Sequence, residues 1–219
     1  MELARRLGYD FRDPALLQQA LTHRSYAWGN NERLEFLGDG LLNFVIGARL
    51  YALQPRAEEG ALSRLRASLV REETLAQLGR ELQLGEQLHL GESELKSGGY
   101  RRDSILADAV EAIIGAVFID GGFDAARGVC ERLYAPLLAD LPDAESLKDP
   151  KTRLQETLQA TGRPLPRYEI LSESGPPHAR RFAVRCLLTD NESFTESEGT
   201  SRRSAEQRAA ELMIAKIHA

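Results

Sequence analysis

The chain has 219 residues, with 28 Lys plus Arg against 33 Asp plus Glu; at 42% hydrophobic and 28% charged it has the makeup of one or two ordinary globular domains, not of a disordered segment. No uninterrupted apolar run approaches the ~18 residues of a membrane span, and Met1-Glu2-Leu3-Ala4-Arg5-Arg6 lacks the order of a signal peptide, so the expectation is a soluble, cytoplasmic protein with no membrane partner. Cys130 and Cys186 are too few and too scattered for a disulfide framework or a zinc site, and the formal net charge of −5 argues against nucleic acid as a partner.

The first 140 residues read as helical almost throughout, with turns at Gly60, Gly85, Gly98-Gly99 and Gly121-Gly122. Early in this region Glu32, Glu35 and Asp39 stand at i, i+3 and i+7, within about a 60° arc of one helix. Leu34, Leu37, Leu41, Phe44, Val45 and Ala48 form a stripe on the opposite side, while Ile46 and Leu50 return to the acidic side. This helix is therefore predicted to be apolar all round beyond Asp39 and to lie in the middle of a domain. Acids on a helix commonly mark a solvated face, and spacing alone favours that for these three. Phe36 sits beside them, off the main stripe, and either fills a local gap or reaches a second subunit.

From Ile105 to Ile119 the only charged residues are Asp108 and Glu111, at i and i+3 on one face. A solvated face should carry more than two polar residues, so a desolvated pair that needs a partner is the better reading. No Lys or Arg within the helix supplies one. A divalent cation would serve both acidic groups, and all-carboxylate oxygen ligands suit Mg²⁺ or Mn²⁺ rather than zinc.

The segment Leu141 to Pro150 loses helical periodicity and reads as a linker. Dividing after Ser146 leaves 16 basic and 23 acidic residues before it, a net of −7, and 12 basic and 10 acidic after it, a net of +2. The sum hides two parts of opposite sign, which weakens the case against nucleic acid. Beyond the linker, a helix from Lys151 to Ala160 precedes three strands. The strongest alternates Phe182, Val184, Cys186 and Leu188 with Ala183, Arg185 and Leu187; Tyr168-Glu169-Ile170 and Ser193-Phe194-Thr195 are weaker. Gly199-Thr200-Ser201 opens a last helix with Ala205, Ala209, Leu212, Met213 and Ile217 on its inner side. The order is α-β-β-β-α. Arg202 and Arg203 in the first turn oppose the helix dipole by ~0.3–1 kcal/mol each. Beside free backbone N–H groups they form an anion site suited to phosphate, or else they are simply solvated. His178, Arg180, Arg181 and Arg185 add positive charge with a single aromatic, Phe182, among them, and the shortage of stacking platforms is closer to duplex-backbone than to single-strand binding.

These residues also carry a family likeness. Asn31-Glu32-Arg33-Leu34-Glu35-Phe36-Leu37-Gly38-Asp39 resembles the signature of bacterial ribonuclease III. The likeness continues through Ala20–Ser25, Leu95–Gly99, Ile105–Ala112, Asp149–Glu156 and Gly199–Glu206, in order along essentially the whole chain. The resemblance implies a mainly α protein: an all-helical catalytic and dimerisation domain over 1–145, a linker over 146–150, and a small α+β double-stranded-RNA-binding domain over 151–219. It implies a homodimeric, Mg²⁺-dependent endonuclease, with Mn²⁺ as substitute, that cuts double-stranded RNA and leaves 5′-phosphate and 3′-hydroxyl ends in the processing of ribosomal, messenger and other structured RNA. By that resemblance Glu35, Asp39, Asp108 and Glu111 hold the metal, with Asp39 and Glu111 catalytic. Glu32 and Glu59 are further acidic positions near the centre, and Phe36 plugs a pocket of the partner. Thr152, Gln155, Glu156 and Gln159 meet one minor groove of the RNA, His178 the next, and Ser201, Arg202 and Arg203 the phosphates between them. The chain departs at Gly40, where many members have Ser.

The expected chemistry is hydrolysis by a water activated at bound metal, with no Ser/His/Asp or Cys/His nucleophile; His23 is expected to be structural. The main rival is a non-catalytic RNA-binding protein with a degenerate dimerisation domain, which predicts loss of a metal-binding acid, and none is lost. A helical phosphohydrolase needs a His-Asp pair and a di-iron bundle needs Glu-x-x-His; neither is expected here.

Overall fold

The computed structural model describes residues 2–26 and 29–218, so Met1 of the N-terminal segment and the terminal Ala219 lie outside it. Eight helices are described before the linker: α1 (Glu2–Leu7), α2 (Pro14–Ala20), α3 (Glu32–Leu53), α4 (Glu59–Val70), α5 (Glu72–Glu81), α6 (Glu92–Lys96), α7 (Asp103–Gly121) and α8 (Phe123–Ala139). After it come α9 (Pro150–Ala160), β1 (Arg167–Ser174), β2 (Arg181–Leu187), β3 (Phe194–Gly199) and α10 (Arg202–His218). The chain divides between Ala144 and Glu145 into two units.

In the first unit α7 is the centre because its sequence leaves it no solvent face. Residues 105–107, 109, 110 and 112–117 are all buried, as an all-round apolar helix requires. α5 covers one side with Leu75, Ala76, Leu78 and Gly79, and α8 another with Ala126, Val129, Cys130 and Tyr134. The Tyr134 hydroxyl donates to the Leu69 carbonyl at 3.2 Å, which ties α8 to α4.

α3 lies along α7 at very short range. A Cβ added at Gly38 would collide with the Glu111 carbonyl oxygen, and one at Gly115 with that of Leu34. The two glycines remove side-chain bulk at the crossing, so backbone meets backbone. The buried stripe of α3 is consequently Leu34, Gly38, Leu42, Val45, Ile46 and Leu50. This corrects the predicted stripe: Phe44 and Ala48 face outward, and the helix is not enclosed on all sides. Phe36 (83% exposed), Phe44 and Tyr51 (75% exposed) form a second apolar face open to solvent. By length and composition α3 could cross a membrane; its first two turns, however, carry Glu32, Arg33, Glu35 and Asp39, and it is packed lengthwise on α7.

In the second unit Asp149 caps α9 by accepting from the Lys151 N–H at 2.9 Å, with Pro150 in the first turn. Leu154 and Leu158, one turn apart, then face a core of Cys186, Leu188, Ala209, Ala210, Met213 and Ile214. The sheet is antiparallel in the order β1-β2-β3, with Tyr168 opposite Cys186 and Cys186 opposite Thr195. On β3 the inward Thr195 and Ser197 hydroxyls donate to the Ala209 and Ala205 carbonyls of α10 at 2.7 and 2.6 Å, which satisfies polar groups that would otherwise be stranded. Leu212, predicted inward, is exposed; Ile214 takes the place against the sheet. Both cysteines are free and buried.

Candidate functional site

The close crossing of α3 and α7 decides where their acids meet. Glu35 is one turn from Gly38 on α3; Asp108 and Glu111 sit one turn apart on the facing side of α7. Carboxylate oxygens of Glu35, Asp108 and Glu111 lie within 4.8 Å of one another, and all three residues are half-buried. Burial first, then the charges of Asp39, Glu35 and Asp108, pushes the Glu111 carboxyl up to about 8. Burial, with repulsion from Asp108 and Glu32, raises Glu35, and burial raises Asp108. Three acids this close cannot all ionise in a partly dry site unless a cation joins them, so the donor set fits a hard divalent ion.

Asp39 is near enough to act electrostatically on Glu111 and Glu35, but its carboxylate lies outside the three-membered group and accepts from Asn43 Nδ2 at 2.7 Å. Glu32 is exposed; it accepts from Asn30 Nδ2 at 3.0 Å and pairs with Arg24 at 3.6 Å. Glu32, Glu35 and Asp108 line a cavity of about 540 Å³ together with His23, Arg24 and Arg102. Glu59 is placed elsewhere: it accepts from Ser63 Oγ at 2.6 Å and lines a separate hollow of about 370 Å³ with Phe44, Tyr51, Leu62 and Arg66. Around Gly40 there is open space, so a Ser would be accommodated.

His23 is buried beside the acids. Its Nδ1 accepts from the Ser25 N–H at 3.2 Å and lies 2.8 Å from Ser25 Oγ, which itself accepts from the Gly91 N–H. Those bonds assign the proton to Nε2, and burial lowers the affinity of the ring for a second one. Arg102, to which the sequence motifs give no role, is fixed at the cavity wall by Glu94 Oε1 at 2.7 Å. The signal was available: Lys96, Arg101 and Arg102 form a basic run without an acid in a domain of net negative charge. The Glu-x-x-His spacing expected to be absent does occur once, at Glu86–His89, but Glu86 closes a short 3₁₀ turn (Leu84–Glu86) and lies outside the carboxylate group.

In the second unit Thr152, Gln155, Glu156 and Gln159 share the exposed face of α9, opposite buried Leu154 and Leu158; Glu156 accepts from Lys148 Nζ at 2.7 Å. His178 is exposed in the turn between β1 and β2. Ser201 Oγ caps α10 by accepting from the Ser204 N–H at 3.1 Å. Arg202 and Arg203 follow it, both exposed.

Two family models cover the chain: Ribonuclease-III-like over residues 13–138 and double-stranded RNA binding motif over 150–217. The chain is 59% identical to Ribonuclease 3 of Alkalilimnicola ehrlichii, over 97% of this chain and 93% of that protein. It is 56% identical to Ribonuclease 3 of Pseudomonas paraeruginosa, over 98% and 94%. Among solved structures, the nuclease domain of ribonuclease III from Campylobacter jejuni matches 64% of this chain and 97% of its own, with 42% identity and a TM-score of 0.61. A second structure of that domain, concerned with flexibility in a region involved in dimer formation, matches 62% and 95%, with 43% identity and a TM-score of 0.60.

Proposed function

This chain belongs to the ribonuclease III family, and we infer that it is an endonuclease specific for double-stranded RNA whose hydrolytic centre is the carboxylate group shared by α3 and α7. The observation that carries this reading is the convergence of Glu35, Asp108 and Glu111 in a half-buried site, in a chain that also bears a duplex-RNA-binding unit.

Mg²⁺ is the cation this donor set favours, with Mn²⁺ as substitute. When bound it supplies an activated water and charge stabilisation at phosphate oxygens. Glu35, Asp108 and Glu111 would hold it, and Asp39, which accepts from Asn43, would be the fourth carboxylate of the set. Burial and the neighbouring acids raise the Glu111 carboxyl, and a bound cation would favour its ionised form. Arg24 and Arg102, steered by Glu32 and Glu94, meet backbone phosphates at the cavity wall, and the neutral His23 ring braces the loop that carries Arg24.

The open apolar face of α3 supports a homodimer. Phe36 of one copy is the plug, and the hollow lined by Phe44, Tyr51, Leu62 and Glu59 is the socket of the other. Two centres would then cut opposite strands of one duplex, leaving 5′-phosphate and 3′-hydroxyl ends. Thr152, Gln155, Glu156 and Gln159 face one minor groove, His178 the next, and Ser201, Arg202 and Arg203 the phosphates between. Processing of ribosomal, messenger and other structured RNA in the cytoplasm is the corresponding role.

The test is incubation with a long RNA duplex with and without Mg²⁺, alongside Glu111→Gln. Metal-dependent cutting by the parent and none by the variant is the expected result. A parent that retards the duplex but never cuts it would leave only a binding protein.

A further inference from the structure

Helix α10 begins with two arginines where the helix dipole disfavours positive charge, and the contacts around them show what holds them. Glu206, one turn on, is only 7% exposed. A carboxylate that deep stays charged only if cations reach it, and two do. Lys151 Nζ from the first turn of α9 donates to Glu206 Oε2 at 2.5 Å, and Arg202 Nε donates to Oε1 at 2.8 Å. Lys151 also lies over the Tyr168 ring, 4.5 Å from its centroid, so its charge is committed inside the unit. Asp149, the cap of α9, accepts from Gln207 Nε2 and pairs with Arg203 at 3.6 Å. The first turns of the two helices are thus clasped by one carboxylate from each.

The atom used by Arg202 matters. A guanidinium held through Nε keeps its two terminal nitrogens as a fork on the far side, and this side chain is 61% exposed. A phosphate takes such a fork in bidentate geometry.

We propose that Glu206 is a positioning residue for RNA recognition: it fixes Arg202 through Nε so that the terminal N–H pair is presented to a phosphate, with Lys151 as the internal counter-charge. This rests on the duplex-RNA reading of the unit. It also runs against a simple count of charge. A carboxylate one turn from a polyanion site should weaken binding, so its neutralisation should tighten the complex; positioning demands the reverse.

The experiment measures binding of the full-length protein to a short RNA duplex without divalent metal, at several salt concentrations, for the parent, Glu206→Gln, Arg202→Ala and the double variant. Glu206→Gln should bind about five- to twentyfold more weakly although its net charge is more positive, and its log–log salt slope should fall by about one phosphate contact. The double variant should be no weaker than Arg202→Ala, since Glu206 acts through Arg202. Thermal melting checks that each variant is folded. Equal or tighter binding by folded Glu206→Gln, or additive losses in the double variant, overturns the proposal. Should Glu206→Gln fail to fold, the parent decides: the Arg202 Nε–H nuclear magnetic resonance signal should exchange with water more slowly than that of Arg203, and equal exchange overturns the proposal. A parent that does not bind the duplex overturns the underlying RNA reading instead.

Discussion

Gly38→Ala perturbs the proposed metal centre without touching a carboxylate. A Cβ at this position would lie well inside van der Waals contact with the Glu111 carbonyl oxygen. The obstacle is backbone, not the end of a flexible side chain, so relief requires α3 and α7 to part by on the order of an ångström. Overpacking of this kind destabilises by about 1–3 kcal/mol, here at the upper end, while the better helix propensity of Ala returns ~1 kcal/mol. The net loss is about 2 kcal/mol, roughly 4–8 °C in Tm for a unit of this size. Gly128→Ala is the matched control: Gly128 lies in α8, exposed, with nothing within 4 Å of an added Cβ, and the change should raise Tm by about 2–4 °C. Circular-dichroism melts separate the two. Because Glu35 rides on α3 while Asp108 and Glu111 ride on α7, the same displacement spreads the carboxylates, and Gly38→Ala should need at least about tenfold more Mg²⁺ for half-maximal cleavage. If Gly38→Ala melts like Gly128→Ala and cuts at the parental Mg²⁺ concentration, the two helices do not meet through this glycine.

Glu111→Gln should abolish cleavage yet flatten the pH dependence of stability in the metal-free protein. A folded carboxyl raised from 4.5 to about 8 takes up protons on folding, so stability declines as pH rises through that window and stays low above it. The full shift sets a ceiling of about 5 kcal/mol, and partial exposure reduces it to about 1–2 kcal/mol; parallel Tm–pH curves for parent and variant in a chelator would refute the assignment. Asp149 and Glu206 have the opposite sign. Both carboxyls are held below their ordinary values by their partners, so the stability they contribute is present above about pH 4.5 and lost as pH falls; a C-terminal unit that melts unchanged under acid would count against the clasp. Phe36→Ala should shift the mass measured by light scattering toward the monomer at micromolar concentration, and an unchanged dimer would remove Phe36 from the interface. Replacing Arg202 and Arg203 together with Ala should weaken duplex binding and lower its salt slope by about two phosphate contacts; a parental slope would take them off the RNA.

The acids that the structure draws together were visible in sequence because metal chemistry restricts residue type, and two carboxylates alone on an apolar helix are conspicuous by energy. The crossing that brings them together was not visible. Gly38 and Gly115 read as weak points in a helix until the opposing carbonyl is seen, because close approach is a property of two segments about 75 residues apart. Periodicity also confused core with open surface on α3: Phe44 and Leu42 are equally apolar, and only packing shows which one faces α7. The side chain of Asp39 was beyond prediction for a related reason, since Asn43 at i+4 competes for it locally. In the second unit the Arg202–Glu206 pair lies at i, i+4 and could be read directly, whereas Lys151 reaches Glu206 only through the packing of α9 on α10.

The two buried acidic environments of this chain separate a cation-binding centre from a structural ion pair by one physical criterion. Burial raises both carboxyls, yet that of Glu206 ends below its ordinary value while that of Glu111 is pushed up to about 8. Burial alone therefore does not decide the sign; the partners do. Glu206 has Lys151 and Arg202 within hydrogen-bonding distance, so the charge balance of its site is closed from within the chain. Around Glu111 the other charges that act are Asp39, Glu35 and Asp108, all of the same sign, and the balance closes only with an ion from outside. The same criterion explains why a net charge of −5 is a poor guide to the partner of this protein. Part of the negative charge of the helical unit belongs to the carboxylate group that calls for a cation, and in the second unit a buried carboxylate, Glu206, holds Arg202 through Nε and leaves the terminal nitrogens of that exposed side chain on the far side.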